Sequence, residues 1–203
     1  GVVVLTTMAL RPARPRQAVR VQEYGPCRVP APDSGAWIPT LQYGGVSIAR
    51  GQEVGAESLA AAWRDGTLTV RGVTNPGSCE SLHVLVSSAG DAPDEWMGFT
   101  RGAMSVTFRL RLRAAELRLR QPWVTVPVRY GDLFGTTAAR VEGRYARGRL
   151  FIGVRGGTGE THAEALLSLG AGWTLLYPFG HALNVTSLLV NVTWMIVLLL
   201  PAG

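Results

Sequence analysis

Hydrophobic and polar residues alternate without a fault between Met104 and Arg113. The apolar set is Met104, Val106, Phe108, Leu110 and Leu112, and the polar set is Ser105, Thr107, Arg109, Arg111 and Arg113. Successive side chains of a β-strand point to opposite faces, so this pattern predicts a strand with one buried face and one cationic, solvated face. We therefore expect the rest of the chain to supply strands that cover the apolar side.

Similar stretches recur along the chain at intervals of roughly ten residues and are separated by turn-forming residues. Strands are predicted at 18–24, 42–50, 67–73, 82–86, 124–128, 140–145, 149–154 and 173–177, and residues 163–169 are predicted as a strand or a short helix. The sequence Ala146-Arg147-Gly148 predicts a hairpin between two of these strands. One short, alanine-rich helix is predicted near 57–64, where Asp65-Gly66 ends it. The pattern as a whole predicts an all-β fold, an antiparallel β-sandwich or jelly roll.

The N-terminal segment differs from the rest in its mixture of arginine and proline. Pro12 and Pro15 disfavour a helix there, and the neighbouring charges oppose burial. We therefore predict that residues 1–28 form an extended basic arm and that residues 29–203 form a single β-sandwich domain.

The basic residues of the chain are all arginine, twenty in number, and the formal net charge is +6. Guanidinium groups bind phosphates in a forked geometry and stack on bases better than ammonium groups do. The candidate nucleic-acid-binding residues are Arg11, Arg14, Arg16 and Arg20 of the arm. The candidate contacts to RNA or to a neighbouring subunit are Arg109, Arg111 and Arg113 of the central strand. The alternative is that these charges serve solubility or ion pairs between subunits.

The sequence offers no positive case for an enzyme. The glycine-rich stretch Gly153–Gly159 lacks the lysine of a phosphate-binding loop, so a plain turn is predicted there. No nucleophile elbow of the G-x-S-x-G type occurs, and the three histidines and two cysteines are scattered without metal-ligand spacing. We therefore predict no catalytic residue, no metal site and no cofactor.

The apolar run at 182–200 decides whether a membrane is involved. Its unbroken apolar part, Trp194–Leu200, is short against the roughly 20 apolar residues that a membrane helix needs. Valine and threonine recur among its leucines, which favours a buried strand. We predict a core strand for this run, with a membrane anchor as the alternative.

Three local stretches resemble coat proteins of picorna-like viruses, in particular the small coat protein of comovirus-type particles. Residues 59–72 (L-A-A-A-W-R-D-G-T-L-T-V-R-G) resemble the helix that enters a strand in those proteins. Residues 99–109 (F-T-R-G-A-M-S-V-T-F-R) resemble an aromatic-x-R-G strand of theirs. Residues 165–175 (A-L-L-S-L-G-A-G-W-T-L) resemble a late strand, with A-G-W-T in place of an acidic D-D-F-T.

This resemblance implies an eight-stranded jelly roll and a mechanical function. Many copies would tile an icosahedral shell around an RNA genome, and the arginine arm would face inward. The expected partners are other capsid subunits and genomic RNA, bound without sequence preference. The expected location is the virion, assembled in the host cytoplasm.

Two other functions remain open at the level of sequence. The first is a membrane-anchored or secreted β-sandwich ectodomain that is held by a Cys27–Cys79 disulfide and tethered by residues 183–200. The second is a non-catalytic β scaffold subunit of a large complex.

Overall fold

The fold was taken from a computed structural model of the 203-residue chain. It describes residues 8, 10–13, 17–24, 38, 40–61, 67–74, 82–87, 95–102, 104–113, 123–129, 131–132 and 138–167. For residues 23–24 and 82–87 it describes the backbone alone.

In the part of the chain that the structure describes, the strands form two sheets, and the first contains six antiparallel strands. These are β1 (Val19–Tyr24), β4 (Glu53–Val54), β6 (Leu82–Ser87), β7 (Glu95–Arg101), β8 (Ser105–Leu110) and β9 (Trp123–Pro127). Their spatial order is β4-β1-β6-β7-β8-β9, so that β9 is the last of these described strands on one side.

The second sheet also contains six antiparallel strands. These are β2 (Thr40–Tyr43), β3 (Val46–Ala49), β5 (Leu68–Val73), β10 (Arg140–Ala146), β11 (Arg149–Gly156) and β12 (Gly159–Leu166). Their order is β12-β11-β10-β5-β2-β3. A short helix, α1 (Ala56–Ala61), precedes β5 and buries Leu59 in the core.

The apolar faces of the two sheets pack against each other in one hydrophobic core. Phe108 of β8 is fully buried, and its ring lies 5.2 Å from that of Phe99 on β7. Across the core, the ring covers Gly143 of β10, where a Cβ atom would stand only 2.6 Å from it. The rings of Tyr43 and Trp96 also meet edge to face between the sheets, with 5.1 Å between their centroids. The fold is therefore an all-β sandwich, as the alternation predicts, and the described residues include the short helix α1.

The strand predicted between Met104 and Arg113 is confirmed as β8 over Ser105–Leu110. Four of its predicted apolar positions are buried, namely Val106, Phe108, Leu110 and Leu112, but the prediction is wrong for Met104, which is 66% exposed. The predicted hairpin around Arg147-Gly148 is confirmed between β10 and β11, and both of these residues have positive φ. The plain turn predicted within Gly153–Gly159 is confirmed as the connection between β11 and β12.

Two strand predictions are wrong in their boundaries. The strand predicted at 42–50 is a hairpin of β2 and β3, because Gly44 and Gly45 adopt φ values of 52° and 96° and reverse the chain. A two-residue turn of this kind matches the twist of the flanking strands and requires positive φ at both positions. Residues 99–109, which the resemblance implies to be one strand, likewise belong to two strands, because a turn at Gly102 joins the end of β7 to the start of β8.

Part of the predicted arm, residues 1–28, belongs to the sandwich. The strand predicted at 18–24 is confirmed as β1, which hydrogen-bonds to both β4 and β6. Val19 and Val21 are buried in the core because they alternate with Arg20 and Gln22 along this strand.

The connectivity of a jelly roll is not confirmed. A jelly roll is built from two Greek keys. In contrast, β6 to β9 run up and down between neighbouring positions of one sheet, and β10 to β12 do so in the other. The described strands therefore show the sandwich layers and two meanders.

Several predictions fall on residues outside the described ranges. These are the strand at 173–177, the apolar run at 182–200, and the thiol or disulfide state of Cys27 and Cys79. Within the ranges given above, no helix is both long enough and apolar enough to cross a membrane.

A buried carboxylate fastens the turn between β11 and β12. Asp132 accepts a hydrogen bond from the backbone N–H of Thr158 at 2.9 Å, and the Thr158 hydroxyl lies 2.8 and 2.7 Å from its two oxygens. These hydrogen bonds hold the pKa of Asp132 below its ordinary value of 3.8, and the bond from the hydroxyl has the larger effect. The positive charge of Arg129 also lowers this pKa, whereas burial raises it. Gly156 leaves room for this contact, since a Cβ atom there would stand 2.5 Å from Oδ1.

We expect Asp132→Ala to lower the free energy of unfolding by about 1 to 3 kcal/mol, the range for lost hydrogen bonds to a charged group. Because the pKa is lowered in the folded state, this contribution is fully present above the ordinary value and is lost as the pH falls below it. Thermal melts at neutral and at strongly acidic pH measure this effect. The melting temperature of Asp132→Asn should fall less on acidification than that of the native chain. Glu57→Gln, an exposed carboxylate on α1, serves as the control, and an equal change in both variants would contradict the assignment.

Candidate nucleic-acid interface

The N-terminal segment packs along the continuation of the central strand. The N–H of Ala13 donates to the carbonyl of Arg111 at 2.9 Å, and the N–H of Arg113 donates to the carbonyl of Arg11 at 2.9 Å. Pro12 thereby stands opposite Leu112 in an antiparallel bridge. This pairing leaves the missing N–H of proline without consequence, because the two hydrogen bonds are made by its neighbours.

Buried contacts anchor this segment to the core. The indole N–H of Trp96 donates to the carbonyl of Ala13 at 2.8 Å, and Leu10 and Ala13 are both buried. The N–H of Arg111 donates to the carbonyl of Trp96 on the same side, so the segment extends the sheet beyond the start of β7. Residues 10–13 are therefore held in a fixed position against the sandwich.

This arrangement brings two predicted basic features together at one place. Arg11 lies opposite Arg113 in register, and both side chains are exposed, while Arg111 beside them is partly buried. We call Arg11, Arg111 and Arg113 the arginine edge. Like charges that stand opposite each other on neighbouring strands destabilise the pair. An anion bound between them would remove this repulsion.

Tyr145 lies on β10, close to the turn into β11. Burial raises the pKa of Tyr145, while the backbone of Gly148 and the positive charge of Arg11 act in the opposite sense. The charge of Arg11 is the smallest of these three effects on the pKa of Tyr145. Arg147 lies in the turn and is exposed, so it adds a positive charge there.

Arg109 differs from the other two predicted arginines of its strand. Its guanidinium lies over the ring of Trp123 at 5.9 Å, and its Nε is buried without a hydrogen-bond partner. Trp123 of β9 is 44% exposed. The sequence analysis did not identify Trp123 as a candidate. Its position was predictable, because Val124, Val126 and Val128 alternate as buried positions and Trp123 therefore falls on the outer face.

The remaining predicted arm residues are not part of the arginine edge. Arg20 is exposed on β1, opposite Glu53 of β4. Three strand spacings separate β1 from β8, which is about 14 Å at 4.8 Å per spacing. Arg14 and Arg16 lie outside the described residues.

The outer face of the second sheet carries more charge than the sequence reading recognised. It displays five arginines and three glutamates, which are Arg71, Arg140, Arg144, Arg149, Arg155, Glu142, Glu160 and Glu164. The alternation of the strands at 140–145 and 149–154 indicates that these charged residues share one outer face. No recognisable motif among them indicates a function. Across the described part of the chain, no group of three histidine, cysteine or acidic residues is placed to hold a metal ion.

Comparisons with known proteins give no relative for this chain. No family model, no curated protein and no solved structure matches it.

Proposed function

We propose that this chain is a structural virus capsid protein that assembles into an icosahedral shell and contacts the RNA genome through its N-terminal arginines. It acts in the virion and assembles in the host cytoplasm. The coat-protein resemblance of residues 59–72, 99–109 and 165–175 supports this proposal, and the all-β sandwich fits it.

The observation that carries the proposal is the arginine edge. The hydrogen bonds between residues 11–13 and 111–113 fix Arg11 and Arg113 side by side, so the repulsion between them exists before any partner arrives. A polyanion relieves that repulsion through phosphates, which accept from guanidinium groups in a forked geometry. Such contacts are independent of sequence and depend strongly on salt, which suits a coat protein that must cover a whole genome.

Contacts between subunits are supported by the last strand of the first sheet. Trp123 on β9 and Met104 in the adjoining turn are exposed by 44% and 66%. Tryptophan, methionine and arginine are enriched in protein–protein interfaces. Trp123 with Arg109 over its ring is therefore the contact that we assign to a neighbouring subunit.

A variant of the arginine edge tests the RNA contact. We expect Arg11→Ala with Arg113→Ala to weaken binding to a short single-stranded RNA, measured by fluorescence anisotropy at several salt concentrations. Two lost phosphate contacts should reduce the slope of log K against log salt by about 1.4, at 0.7 per contact for single strands.

The matched control is Arg71→Ala with Arg155→Ala, which removes the same charge from the outer face of the other sheet. This control should keep the slope of the native chain. Equal slopes for the native chain and the edge variant would overturn the RNA contact.

A further inference from the structure

A groove of about 800 Å³ lies on the outer face of the second sheet, away from the arginine edge. Its lining includes Thr40, Gln42, Arg71, Arg140, Phe151 and Arg155. Gly153 lies in its floor, where a Cβ atom would stand 3.2 Å from the Phe151 ring, so the absent side chain keeps the groove open. The volume falls in the range of small-molecule sites.

Most of the charge in this groove is already paired. The Nε of Arg71 donates to Glu142 at 2.8 Å, and the Nε of Arg155 donates to Glu160 at 2.9 Å. These pairs use part of each guanidinium and leave further N–H groups of both arginines to donate elsewhere. They also hold the long side chains in defined positions along the groove.

Arg140 provides the one positive charge that the groove lining does not balance. It stands opposite Arg155 in register, and no carboxylate of the described residues lies within ion-pair distance of it. Two arginines opposite each other repel, so this position favours an anion. The excess is one charge, because three arginines face two glutamates in the lining.

The other walls of the groove favour a polar ligand with a small apolar face. Thr40 and Gln42 offer hydroxyl and amide groups. The apolar residues of the lining are Val73, Val141 and Phe151. The Phe151 ring is held between the guanidinium of Arg144, at 4.9 Å, and the stacked ring of His162, at 6.0 Å. A lipid or a purely apolar ligand would cover the charge of Arg140 without pairing it, which is costly.

We propose that this groove binds an acidic saccharide, a sugar that carries one carboxylate. The carboxylate pairs with Arg140 in a bidentate geometry. The sugar hydroxyls exchange hydrogen bonds with Gln42, with Thr40 and with the free positions of the Arg71–Glu142 pair. One carboxylate balances the single excess charge, whereas a phosphate monoester carries about −1.5 to −2 and would exceed it. This site is independent of assembly and of RNA binding.

Isothermal titration of the full chain with 3′-sialyllactose, and with lactose as the neutral comparator, tests the proposal. We expect sialyllactose to bind at least about tenfold more tightly than lactose, the factor that one well-placed charged contact supplies. Arg140→Gln should remove this difference. Arg149→Gln, an exposed arginine of the same sheet outside the groove lining, should leave it unchanged.

Val73→Trp is a second variant that fills the groove from an exposed position on β5. It should abolish sialyllactose binding while the circular dichroism spectrum and melting temperature stay those of the native chain. Equal affinity for the two sugars, no binding of either, or an unchanged preference in Arg140→Gln would overturn the proposal. Displacement of the sugar by short RNA, with the same loss in Arg140→Gln, would instead identify the groove as a polyanion site.

Discussion

Phe108→Ala should lower the free energy of unfolding by about 3–5 kcal/mol, which is the usual cost of removing a fully buried aromatic ring. The ring is 0% exposed and contacts Phe99 within its own sheet and Gly143 across the core. Single domains are stable by about 5–15 kcal/mol, so this one change removes a large part of the total. Urea denaturation measures it as a lower midpoint at an unchanged m-value.

Gly143 gives the same contact a second and independent test. Gly143→Ala places a methyl group 2.6 Å from the Phe108 ring, and overpacking of this kind costs about 1–3 kcal/mol. In the Phe108→Ala background the added methyl group has room, so the two changes should couple by about 1 kcal/mol in a double-mutant cycle. Gly131→Ala is the control, since a Cβ atom there meets nothing within 4 Å. Simple additivity of the two core changes would contradict the packing described for this contact.

Arg11, Arg14 and Arg16, replaced together by alanine, should lower the RNA content of assembled particles on the order of tenfold, given the salt-sensitive energy of phosphate contacts. The folded domain should be less affected than packaging, because Arg11 is exposed and substitutions of exposed residues usually stay within about 0.5 kcal/mol. Particle RNA is measured as nuclease-protected nucleic acid per coat protein, and stability is measured by thermal melting of the same preparation.

The matched control for this variant is Arg71→Ala, Arg144→Ala and Arg149→Ala, which removes three arginines from the outer face of the second sheet. Its particles should keep their RNA. If the arm variant packages as much RNA as the native chain, or if it loses RNA only in proportion to a loss of folding, the role assigned to the arm is wrong.

Local patterns in the sequence were sufficient for most of the sandwich. The alternation at 104–113 predicts β8 because burial on one face imposes a period of two on neighbouring residues. The same rule gave a wrong prediction for residues 42–50. A two-residue glycine turn can interrupt a strand while the apolar and polar residues on either side of it continue to alternate. Gly44-Gly45 was the signal that should have divided the strand.

The two candidate sites depend on contacts that no local pattern encodes. The arginine edge exists because residues 11–13 pair with residues 111–113, and nothing near either segment specifies the other. In the groove on the outer face of the second sheet, Arg71 meets Glu142 across 71 positions of the chain. The sequence could show which strands carry charged outer faces, but only the order of strands in the sheet places those charges beside one another.

The size and content of the native particle test the central claim most directly. Sedimentation velocity and electron microscopy of the purified protein, with and without nuclease treatment, give both quantities in one preparation. Our account predicts large closed shells that protect RNA from nuclease. A small oligomer without RNA, a Cys27–Cys79 disulfide or a glycan on Asn184, which stands in the N-glycosylation sequon Asn184-Val185-Thr186, would contradict it and favour an extracellular β-sandwich.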